Sequence, residues 1–94
     1  MKKVAVLVRD QDPQYEALRT SLGCLLEDHQ MSYFVLDHEI DPDEAFSDNL
    51  GFLDEMEGRR YSNVPANAEK YGFTLMDLAE IGELLRQQDI IIPF

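Results

Sequence analysis

Five polar, mostly acidic side chains crowd one short stretch of the chain: Asp37, His38, Glu39, Asp41 and Asp43. Carboxylates and an imidazole at this density are the donor types that a hard cation such as Mg²⁺ or Ca²⁺ uses, which makes the stretch a candidate metal-linked binding module. The glycine of a calcium loop is missing, however, and the ligand spacing fits no known loop. Asp41, Pro42 and Glu44 also read as an N-cap, a first-turn proline and an N3 acid, so the competing reading is a solvated helix start. His29 and His38 have no HxxxH or CxxC companion, which argues against zinc. A second group lies at Arg9 and Asp10, after the apolar run Val4 to Val8, with Asn63 further on. In an open α/β fold these would meet at the carboxyl edge of the sheet, where a small anionic ligand could sit. The loop RDQDPQ has no glycine to form the backbone nest that a flavin or nucleotide phosphate needs, so no cofactor is expected. Asp10 and Asp12 would suit a phospho-receiver, but the lysine expected near the last strand is absent. The remaining nucleophile, Cys24, has Glu27 and Asp28 as charged neighbours, and acids raise a thiol pKa. A small buried or half-buried packing residue is the simpler reading of it. The residues therefore supply no complete catalytic constellation.

The elements that would position these groups follow from periodicity. Val4 to Val8 is a continuous apolar run, expected of a strand buried on both faces of a parallel sheet, and is read as the first and central strand. Tyr15, Leu18, Leu22, Leu25 and Leu26 recur at helical spacing between Pro13 and Glu27, with Asp12 as N-cap. Tyr33 to Leu36 form a second strand that closes a right-handed βαβ unit. A helix from Asp41 buries Phe46, Leu50 and Leu53 and stops at Gly58. Arg60 to Val64 reads as a short strand, and Pro65 opens a turn and a brief helix. Thr74 and Asp77 mark a further helix start, with Leu75, Leu78, Ile81 and Leu85 on one face. Ile90 to Ile92 make a final buried strand. Gly23 and Gly82 interrupt helices at a cost of about 1 kcal/mol each relative to alanine, so each predicts a close helix contact, either with the sheet or with another subunit. Tyr61, Tyr71 and Phe73 either complete the core or expose an aromatic surface to a partner. The order β-α-β-α-(β)-α-β predicts one domain over residues 1–94, a three-layer α/β/α sandwich with a short, mostly parallel sheet of three or four strands, related to flavodoxin-like folds.

Composition bounds the partners. With 45% hydrophobic and 29% charged residues among 94, the chain is an ordinary globular domain. Its core should be thin, which predicts a homo-oligomer. Nineteen acidic against eight basic residues give a net charge of -11, and the cations are scattered, so nucleic acid and anionic membrane surfaces are excluded as partners. A single cysteine and no visible signal or membrane-spanning stretch make the cytoplasm the expected compartment.

The opening MKKVAVLV, the helix EALRTSLGCLLED, the strand YFVLDHEI and the closing LAEIGELLRQQDIIIPF resemble the DsrE/DsrF-like family of sulfur-relay proteins. The resemblance covers residues 1–40 and 71–94 and implies a compact α/β fold assembled into oligomers. In active members a cysteine after the third strand carries persulfide sulfur to an acceptor. Counting back from Gly72 puts Val64 at that place, and valine has no transferable sulfur. The resemblance thus implies a non-catalytic subunit that binds a sulfur-relay protein partner or a small ligand at an edge formed by Arg9, Asp10, Asp37, His38, Asn63 and Val64. The alternative is a sulfur carrier that uses Cys24.

Overall fold

The computed structural model describes residues 2–9 and 14–94, with Gln14 and Tyr15 by their backbone alone. Asp10, Asp12 and Pro13, and with them the expected first N-cap, lie outside these residues. Five strands and four helices alternate: β1 (Lys3–Val8), α1 (Gln14–Leu26), β2 (Gln30–Val35), α2 (Glu44–Glu55), β3 (Arg59–Ser62), α3 (Pro65–Tyr71), β4 (Thr74–Leu75), α4 (Leu78–Arg86) and β5 (Ile90–Pro93). The strands form one all-parallel sheet in the order β4-β3-β2-β1-β5.

That order follows from short right-handed crossovers. Three successive βαβ steps move the same way across the sheet and place α1, α2 and α3 on one face, and the return from β4 to β5 carries α4 to the other. Alternation along the strands matches this division. Val4, Val6, Val8, Met31, Tyr33 and Val35 meet Ala17, Leu18, Phe46, Leu50 and Leu53 in the larger core. Ala5, Phe34, Leu36 and Tyr61 meet Ile81, Leu84 and Leu85 of α4 in the smaller one. The rings of Phe34 and Tyr61 stack with centroids 5.1 Å apart. Tyr61 and Phe73 are buried and Tyr71 is half-buried, so the aromatics of this region complete the core.

Several expectations are corrected. The sheet has five strands, and β2, not β1, is central. Thr74 and Leu75 form a two-residue edge strand rather than the start of a helix, because Met76 N donates to Ser62 O and holds the segment against β3. β5 is the opposite edge, with Ile90 and Ile91 41% and 45% exposed, since β1 covers only one of its sides. α2 starts two residues later than expected: Asp43, not Asp41, is its N-cap, its carboxylate accepting from Phe46 N at 2.8 Å. A Cβ at Gly23 or Gly82 would meet nothing within 4 Å, so neither glycine marks a close contact within the chain. Gly72 does have a backbone reason. It closes α3 at φ 73°, beside the Arg60 guanidinium that lies 5.4 Å from the Phe73 ring. Among the described residues, no helix is long and apolar enough to cross a membrane.

Candidate functional site at the carboxyl edge of the sheet

Where β1, β2 and β3 end, the chain turns through Arg9, Asp37–His38 and Asn63–Val64, and the sheet brings these residues to one edge. Asp37 sits in the left-handed region at φ 65°, which an aspartate tolerates better than most residues. Its backbone N–H donates to Asn63 Oδ1 at 2.9 Å, and Asn63 Nδ2 donates to Asp37 Oδ1 at 2.9 Å, a two-bond clasp between neighbouring loops. The second carboxylate oxygen faces Arg9 at 3.7 Å, an exposed pair worth little by itself.

Beneath the clasp lies a polar knot that the residue pattern did not announce. Asn67, fully buried in the first turn of α3, accepts from Ile40 N and donates to His38 O, both at 2.9 Å, and to Ser62 Oγ at 3.0 Å. Ser62 Oγ also accepts from Val64 N at 3.1 Å. One amide thus ties together the β2–α2 loop, the end of β3 and the start of α3. The available signal was a lone amide at helical spacing between Val64 and Tyr71, on the inward side of a short helix.

His38 Nδ1 lies 3.1 Å from Leu36 O, and Nε2 is buried with no partner among the described residues. Val64, half-buried, is the residue before α3 and offers no side-chain cap. The acids around His38 are engaged separately: Glu39 with Lys70 at 2.8 Å, Asp43 with its helix, and Asp37 with Asn63 and Arg9. No group of three or more His, Cys, Asp or Glu residues that could hold a metal occurs among the described residues. His29 and His38, before and after β2, lie at opposite edges of the sheet.

Cys24 is also at the opposite edge, near the end of α1, where its carbonyl accepts from His29 N. It packs half-buried against the larger core, and burial, followed by the Glu27 charge, pushes its thiol above the ordinary range. The edge residues and Cys24 therefore belong to different ends of the molecule.

Next to Asn63 the edge opens into a shallow groove of about 380 Å³ between the β3–α3 and β4–α4 turns, lined by Asn63, Pro65, Leu75, Met76, Asp77 and Glu80. Leu75 is 52% exposed in it. Asp77 and Glu80 form the capping box of α4, each side chain accepting from the other's backbone N–H, so their charges are fixed on the rim. An apolar floor with an acidic rim suits a group that is both apolar and cationic, and nothing in it resembles a nucleophile beside a base.

This is a parallel α/β sandwich whose carboxyl edge is braced by side-chain amides. No protein-family model matches the chain, and neither the curated proteins nor the solved structures yielded a match.

Proposed function

We propose that the chain is a non-catalytic, oligomeric subunit of the DsrE/DsrF-like type, which binds a protein partner or small ligand at the carboxyl edge of its sheet in a sulfur-transfer setting. The observation that carries the reading is the separation of its parts. Val64 follows β3 where the resembled family has its reactive cysteine, while the thiol the chain does own lies at the far edge with its ionisation disfavoured. The groove beside Asn63 supports the binding part, because its acidic rim attracts a basic, partly apolar surface and repels nucleic acid. Exposed Leu75, Leu78, Ile90 and Ile91 support the assembly part.

The test is native thiol chemistry paired with sedimentation. Polysulfide or iodoacetamide should modify Cys24 far more slowly in the folded protein than in urea, with Glu27→Gln speeding the native reaction, and the protein should sediment above its 10.8 kDa monomer mass at micromolar concentration. Rapid, stoichiometric persulfidation of native Cys24 would favour the carrier reading instead. A monomer at those concentrations would remove the assembly part.

A further inference from the structure

The amino edge of the sheet, at the far end from the groove, carries an arrangement of charge that the other described residues lack. Five of the eight cationic side chains lie within 3.8 Å of a carboxylate: Arg9, Arg19, Arg60, Lys70 and Arg86. Lys2, Lys3 and Arg59 have no such partner among the described residues, although the chain has 19 acids to offer. Two of these three, Lys3 and Arg59, line the same cavity.

The strand register brings them together. Parallel pairing sets Lys3 beside Gln30 and Ser32 beside Arg59, and alternation puts all four on the face of the sheet that α4 covers. Leu84, Gln87 and Gln88, from the end of α4 and the turn after it, complete a small cavity of about 60 Å³. None of the seven lining residues is acidic. Asp28 and Glu57 line the neighbouring cavity on the other side of Arg59 but do not come within ion-pair distance of it. Asp89 is occupied on the Lys3 backbone, its Oδ2 accepting from Lys3 N at 2.8 Å.

Cations near the end of a helix have an ordinary explanation, namely that they complement its unsatisfied carbonyls. Here two of those carbonyls, on Leu84 and Leu85, already have donors. Leu84 O accepts from Gln87 N and from Gln88 Nε2, both at 3.1 Å, and Leu85 O accepts from Gln88 N at 3.1 Å. At these two carbonyls the cations are left without that role.

We infer that this cavity binds a compact oxyanion, of the phosphate or sulfate class, between the Lys3 ammonium and the Arg59 guanidinium. A doubly charged tetrahedral anion matches the pair in charge. A guanidinium offers it two parallel N–H donors, and the Ser32 hydroxyl and the amide NH₂ of Gln30 or Gln87 supply neutral ones. Whether the anion is free or is the terminal group of a larger metabolite, the recognising chemistry is the same. The inference does not rest on the proposed function, since it concerns the opposite edge and uses none of the same residues.

Calorimetric titration of the intact protein with inorganic phosphate and with sulfate tests it, with sodium chloride at matched ionic strength as the control. One saturable site per chain is expected for at least one of the two anions and none for chloride. Arg59→Gln and Lys3→Gln should each weaken binding by about tenfold or more, the loss of one charge-assisted hydrogen-bonding partner. Circular dichroism checks that both variants fold. An adenine nucleotide and a phosphorylated sugar serve as further arms: tighter binding than phosphate identifies a larger ligand carrying the same group. Absence of saturable heat with both inorganic anions, or equal affinity in the wild type and a folded Arg59→Gln variant, overturns the inference.

Discussion

Asn67→Ala should be the most damaging single substitution near the candidate site, and its cost can be worked from the geometry. The wild-type side chain makes three hydrogen bonds, to Ile40 N, His38 O and Ser62 Oγ, all within 3.0 Å, and is fully buried. At roughly 1 kcal/mol net for each bond, their loss amounts to about 3 kcal/mol. Stranding the Ile40 N–H adds about 1–2 kcal/mol, since Ile40 is itself 2% exposed and water has little access to replace the amide. Alanine returns about half a kcal/mol of helix propensity. The net expectation is about 3–5 kcal/mol out of a total of roughly 5–14 kcal/mol for a domain of this length. Urea unfolding followed by circular dichroism measures it, with Ser62→Ala and Asn63→Ala as companions. Ser62→Ala should cost about half as much, because Ser62 Oγ accepts only two bonds, and Asn63→Ala less than about 1 kcal/mol, because its clasp with Asp37 is exposed. A loss below 1 kcal/mol for Asn67→Ala, with an unchanged denaturant slope, would refute the idea that this amide braces the edge.

Two other features lead to stability predictions. Asp28 and Glu57 follow the ends of α1 and α2 at φ 65° and 64°, in the Schellman position that glycine ordinarily fills, with His29 N donating to Cys24 O and Gly58 N to Leu53 O. Glu57→Gly and Asp28→Gly relieve left-handed strain and remove a negative charge from a helix C-terminus. Each should stabilise by about 0.5–1 kcal/mol and raise Tm by a few degrees in calorimetry. Tyr33 is fully buried, and that burial pushes its phenol well above the ordinary tyrosine range. The unfolded chain therefore ionises this group first, at about pH 10. The contribution of Tyr33 to stability is constant below that pH and falls by about 1.4 kcal/mol per pH unit above it, until the folded protein ionises the phenol as well. Tyr33→Phe should remove that share of the slope in alkaline urea titrations, whereas identical slopes for both proteins would contradict it.

The alternation of strand and helix and most of the core were legible because apolar periodicity is a local property. Val4 to Val8, Phe46, Leu50, Leu53 and Ile81 point inward for reasons their neighbours in the chain already state. The gathering of Arg9, Asp37, His38 and Asn63 at one edge was also legible, since the carboxyl ends of parallel strands meet wherever the strands do. Tertiary structure decided what depends on pairing across the sheet. Thr74–Leu75 became a strand because β3 had a free side to offer, against a helical pattern that its own residues carried. The Ile90 to Ile92 run became an exposed edge because the return crossover placed it outside β1. Asn67 acquired its bonds to Ile40 and His38, and Lys3 and Arg59 their common cavity, from contacts between residues 27 or more positions apart, and no spacing rule reaches that far.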